Sequence, residues 1–128
     1  MNKKPKNKED MTLNELRALV KEAEQTKQKI QTKGKIYCIV RTYSAGVFAG
    51  MYDRQIKGKE GTVYNARRIF YWDGAASLSQ LANDGTNKPK NCKFAQEVIE
   101  VDLKEIIEVI PCTEKAKKNI QSVSVWEK

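Results

Sequence analysis

The chain has 128 residues, with 24 lysines and arginines against 16 aspartates and glutamates, so its net charge is +8, and it contains no histidine. That length favours one domain with one core of its own, and the missing imidazole excludes Ser-His-Asp and Cys-His catalysis, His-ligated metals and a histidine general base. Cys38, Cys92 and Cys112 are an odd number without C-x-x-C spacing, no apolar run reaches a membrane span of about 18 residues, and no signal peptide is legible, so the expectation is a cytoplasmic protein with free thiols and neither metal nor cofactor.

Residues 1–10, MNKKPKNKED, carry almost nothing apolar and read as a disordered basic tail. Thr12 with Glu15 three residues on forms a capping box, and Leu13, Leu16, Leu19 and Val20 follow at helical spacing. A helix is therefore predicted over 11–33, stopped by Gly34. Its apolar stripe is narrow and suits either packing on the domain or pairing with a second copy.

From Lys35 the pattern turns to strand. KIYCIVRTY is β-branched and aromatic, with an apolar run from Ile36 to Val40 that predicts a strand covered on both faces. Residues 47–56 form a second strand in which Gly50 marks a bulge or a close backbone approach. Lys57-Gly58-Lys59-Glu60-Gly61 reads as a hairpin turn, and residues 62–72 as a third, long strand. Asp73 is the expected cap of a short helix that ends before Gly85, and TNKPKNCK is a basic loop. Strands over 94–102 and 104–111 and a helix capped by Thr113 complete the pattern. The predicted fold is a single α+β domain over 34–128: a curved, mainly antiparallel sheet of about five strands with N-terminal, short middle and C-terminal helices.

The stretch from Asn65 to Ser77 carries the chemistry. Side chains alternate along a strand, so Arg67, Ile69 and Tyr71 share one face and Arg68, Phe70 and Trp72 the other. Either arginine then lies beside aromatic rings, and a guanidinium both stacks on rings and grips phosphate. The following helix start has three small residues, Gly74, Ala75 and Ala76, that let an anion approach backbone N–H groups, and Ser77 adds a hydroxyl. The candidate ligand-binding residues are thus Arg67, Arg68, Tyr71, Trp72, Gly74, Ala75 and Ser77, with Lys93 from the basic loop. The competing reading makes the rings core and the arginines structural. No paired carboxylates are placed, so a binding protein is expected rather than an enzyme.

The block NARRIFYWDGAASLSQLANDGTNKPKNCKF, followed by VIEVDLKEIIEVIPCTEKAKKNI, resembles a family of small phage and prophage proteins that share an R-R-[IL]-W/F-Y-W-x-G-A segment, an L-S-x-L-A helix and an E-I-I-x-V-I-P-C-T segment. The resemblance spans about residues 35–126 and implies viral origin and the cytoplasm of an infected or lysogenic bacterial host. A similar class is the viral sponges, such as the Thoeris anti-defence proteins, oligomers that hold cyclic nucleotide signals without cleaving them. The resulting expectation is a non-enzymatic homo-oligomer that sequesters a small anionic nucleotide immune signal. The alternatives are a nucleic-acid-binding phage accessory protein and a protein-binding inhibitor of a host defence enzyme.

Overall fold

The computed structural model describes residues 12–127, without the side chains of residues 24–31. The basic tail expected over 1–10 lies outside the described residues. The chain separates into two units, residues 1–33 and 34–128. The first contains helix α1, Leu13–Thr32, and the Thr12 hydroxyl accepts the Glu15 N–H at 3.2 Å, as the capping box predicts. Gly34 follows in the left-handed region at φ 75°.

The second unit is an α+β domain built on a six-stranded antiparallel sheet: β1 Ile36–Thr42, β2 Val47–Tyr52, β3 Gly61–Tyr71, β4 Lys93–Phe94, β5 Val98–Leu103 and β6 Ile106–Pro111. Helices α2, Leu78–Asp84, and α3, Glu114–Ser122, belong to the same unit. The order across the sheet is β4-β3-β2-β1-β6, and β5 also pairs with β3. Strand β3 is the hub, because its residues 61–66 pair with β5 and its residues 69–71 with β4. The strand expected over 94–102 is therefore two strands, separated by Ala95–Glu97. Likewise, the tight hairpin expected at 57–61 is a longer loop over 53–60.

Both faces of β1 are covered. Tyr37 and Ile39 face one core with Ile69, Phe94, Leu81, Ala82, Ile120 and Val123, which is the face that α2 and α3 cover. Cys38 and Val40 face a second core with Phe48, Tyr52, Val63, Ala66, Leu103 and Ile106. That second core is enclosed by the sheet bending on itself without closing. Strands β5 and β6 are joined by Lys104-Glu105 alone, yet one pairs with β3 and the other with β1. The 53–60 loop completes the end, since the Lys59 carbonyl accepts the Ile106 N–H at 2.7 Å.

The bend has a local cause. The β2–β3 register slips between Ala49 and Met51, and Asn65 opposite takes φ 51°, a left-handed conformation that asparagine tolerates better than most residues. Gly50 sits against this bulge. A Cβ there would lie 2.6 Å from Val63 Cγ1 and 2.7 Å from the Tyr64 carbonyl oxygen. The carbonyl belongs to the sheet ladder and has little room to retreat. Gly50→Ala should therefore destabilise the fold by about 2 kcal/mol or more, read as a lower urea midpoint at unchanged slope.

Candidate functional site

Adjacent arginines on β3 face opposite sides of the sheet, and their surroundings differ accordingly. Arg67 is 3 % exposed. Its Nε donates to the Ala95 carbonyl at 2.8 Å, and Nη1 donates to the carbonyls of Ile120 at 2.9 Å and Val123 at 2.6 Å. Nη2 donates to the Phe94 carbonyl at 3.2 Å and the Ser124 carbonyl at 3.5 Å. Two of these acceptors, Ile120 and Val123, lie at the C-terminal end of α3, where a cation is favoured; the Ile120 carbonyl also accepts the Val123 N–H at 3.3 Å. Burial pulls the Arg67 pKa below its usual value, opposed by the charges of nearby Tyr37 and Glu97. Arg67 is thus an internal staple whose donors are all turned to the protein's own backbone.

Arg68 is exposed. Its guanidinium lies over the Phe48 ring at 4.8 Å and beside the Phe70 ring at 5.9 Å from the centroid. Phe48 is buried in the second core, so the arginine roofs that core and keeps its charge at the surface. Phe70 is 55 % exposed and meets Trp126 edge to face, with centroids 5.6 Å apart. Lys93 Nζ stands 5.4 Å from the Trp126 ring. The result is a continuous series, Phe48, Arg68, Phe70, Trp126, Lys93, in which rings and cations are neighbours. Neither cation takes part in an ion pair among the described residues.

The C-terminal segment contributes Trp126 to this surface. Val125 forms a parallel bridge to Phe94, and the Trp126 N–H donates to the Phe94 carbonyl at 2.9 Å. Tyr71, backbone partner of Lys93, is 51 % exposed at the end of β3. Trp72 lies beyond the strand and packs against the helix-covered core, so it leaves the Arg68–Phe70 face to which alternation assigned it.

The Gly74–Ser77 segment is brought into a different set of contacts. Asp73 does not cap α2; its carboxylate accepts the Gly74 N–H at 2.8 Å and the Asn91 amide at 3.0 Å, and these bonds hold its pKa below the usual range. Ser77 is the cap, its hydroxyl accepting the Gln80 N–H at 3.1 Å. The Ala76 N–H is taken by the Gln80 side chain at 2.8 Å, and Ala75 packs on the core. Gly74 has φ 82°, and a Cβ on it would strike Thr86 Oγ1, Asn87 Oδ1 and Lys88 N, each at 2.6 Å. The Thr86 hydroxyl donates to the Asp73 carbonyl, which locks the two loops together. This helix start therefore spends its polar groups internally, while Arg68, Tyr71 and Lys93 remain at the surface.

The three cysteines are free. Burial pushes the Cys38 thiol up to about 11 and the Cys112 thiol up to about 12, which favours the protonated thiol at neutral pH. No group of three or more His, Cys, Asp or Glu residues able to hold a metal occurs among the described residues. No described helix is long and apolar enough to cross a membrane.

The division of labour between the arginines is testable. Replacing Arg67 by methionine leaves buried carbonyls without donors and should cost about 3 kcal/mol or more in chemical denaturation. Arg67→Lys should recover little of it, because an ammonium cannot reach acceptors spread around a planar fork.

No curated protein and no solved structure matches this chain. A family defined as a domain of unknown function, DUF6948, matches residues 35–120. That span takes in the whole β1-to-α3 framework almost to the end of the last helix, and the chain belongs to the DUF6948 family.

Proposed function

We propose that the protein is a non-catalytic binding module for single-stranded nucleic acid, held on the surface formed by Arg68, Phe70, Trp126 and Lys93, with Tyr71 at its margin. The observation that carries this reading is the exposed series of rings flanked by cations that make no ion pair among the described residues. Single-strand binding sites combine the same two elements: aromatic faces on which bases stack, worth about 1–3 kcal/mol per base, and cations that follow the phosphates. The net charge of +8 adds attraction at longer range. The surface is open rather than enclosed, which suits a polymer that gains affinity over several nucleotides. Viral origin and a role as a phage accessory protein belong to this proposal through the sequence resemblance.

A second reading follows from the fixed position of the Arg68 fork between two rings. Such a fork suits one phosphate of a compact nucleotide, and a protein of this kind would sequester a small cyclic nucleotide signal and so counter host defence. A compact site buries most of its ligand, so this reading requires a second subunit to cover the surface.

Fluorescence titration with a labelled oligothymidylate at several salt concentrations separates the two. For single-stranded DNA, affinity should fall steeply with salt. Trp126→Ala should weaken binding by roughly tenfold without changing the salt slope. Arg68→Ala should weaken it and reduce the slope by about 0.7. Unchanged affinity in a folded Arg68→Ala/Trp126→Ala double variant would refute the nucleic-acid reading. Salt-insensitive retention of a cyclic dinucleotide through gel filtration would favour the second.

A further inference from the structure

We propose that the open edge of strand β5 is a docking site for an extended segment of a partner protein, which carries lysine or arginine at alternate positions and joins the sheet as an added strand. Strand β5 pairs with β3 along one edge, from Leu103 opposite Gly61 to Val98 opposite Ala66, without a shift of register. Its other edge makes no backbone hydrogen bond among the described residues. A free strand edge is a template for another chain, and folded proteins ordinarily blunt it. The remaining edges of this sheet are blunted. Strand β4 is two residues long, and Val125 bridges its Phe94. Strand β6 shifts register opposite Arg41 and Thr42, gives its Ile106 N–H to the Lys59 carbonyl and ends on Pro111, which has no N–H to offer. Strand β5 has six residues, VIEVDL, without proline, lysine or glycine.

The side chains along β5 select the occupant. Leu103 belongs to the second core, and Val101 packs against it. Alternation puts Ile99 on that inner side with them, where it is 63 % exposed. Val98, Glu100 and Asp102 take the outer side, and there the Thr62 hydroxyl donates to the Asp102 carboxylate at 2.6 Å. Glu100 and Asp102 are exposed and make no ion pair among the described residues. Tyr64, opposite Glu100, has the Lys35 ammonium 4.9 Å from its ring centre, so a cation already sits on this side of the sheet. A strand added beside β5 therefore meets apolar neighbours at alternate positions and carboxylates between them. Opposite charges on adjacent strands attract, and like charges repel. A second copy of β5 would set its own acids beside Glu100 and Asp102, whereas a segment that alternates apolar and basic residues satisfies both sides. In strand addition of this kind, main-chain hydrogen bonds supply affinity and alternate side chains supply the choice of partner.

Amide hydrogen exchange of the full chain, read by nitrogen-15 NMR, tests the proposal with the capped peptide Lys-Val-Lys-Val-Lys-Val-Lys as the probe. The peptide should bind the wild type saturably and slow exchange of amides within residues 98–103 by roughly tenfold or more. The same peptide N-methylated at every residue keeps its charges but has no N–H to donate, and it should leave exchange at β5 unchanged. Glu100→Lys/Asp102→Lys should weaken binding of the lysine peptide by about tenfold or more and create binding of capped Glu-Val-Glu-Val-Glu-Val-Glu. A lysine peptide that does not bind the wild type would overturn the proposal, as would equal binding of the N-methylated peptide or slowed exchange that spares β5. Protection of β5 amides that rises with protein concentration in the free protein would put a second copy on the edge and overturn the choice of partner.

Discussion

The Arg67 guanidinium is enclosed on the helix-covered face of β3, and its donors reach carbonyls at Phe94, Ala95, Ile120, Val123 and Ser124. A lone buried cation would be very costly, so these acceptors are the condition of its being there at all. In return the cation ties three parts of the chain to the centre of the sheet: the short β4 strand, the end of α3 and the segment that leaves α3. That segment continues directly into Val125 and Trp126, whose backbone bonds to Phe94 complete the docking. The buried arginine therefore sets the position of an exposed tryptophan. Trp126 reaches Phe70 because Arg67 holds the backbone just before it.

The next residue puts the same side chain to the opposite use. Strand alternation turns Arg68 to the other face, where it covers Phe48 and touches Phe70. Its charge stays at the surface. Strand β3 thus joins interior and surface within two residues. The bulge at Gly50 and Asn65 keeps the arrangement bent, and that bend lets β5 and β6 enclose the second core. Stacking of a ligand on the exposed rings beside Arg68 and Lys93, which make no ion pair among the described residues, is the use proposed for this surface.

What could be read from the residues was mostly local. Thr12 and Thr113 cap the helices they were expected to cap, because an N-cap is decided by a hydroxyl and an N–H three residues away. The strand over Ile36–Thr42 was legible because a run of apolar β-branched and aromatic residues has few other uses. Gly50 was legible as a bulge or a close approach. Asp73 misled because aspartate before glycine is a good cap in isolation; here Asn91, from a loop later in the chain, claims its carboxylate. The break between β4 and β5 was hidden because both pair with one strand, and no feature of 94–102 announces two registers. At the surface, alternation put Arg68 and Phe70 together, but it assigned Trp72 to the same face. Trp126 takes that place instead, and no local signal near Phe70 points to a residue so distant in sequence. The lone tryptophan in the segment after α3 was the one available hint.

The two tryptophans differ in surroundings, which allows one direct test. Trp72 packs against the core, and Trp126 stands 43 % exposed between Phe70 and Lys93. Nitrogen-15 NMR of the two indole N–H groups, followed during addition of a short oligothymidylate, reads each ring separately. Base stacking on the proposed surface predicts a saturable shift of the Trp126 signal, with the Trp72 signal unmoved. Binding that shifts neither indole, or Trp72 alone, would contradict the placement of the ligand on the Arg68–Trp126 surface.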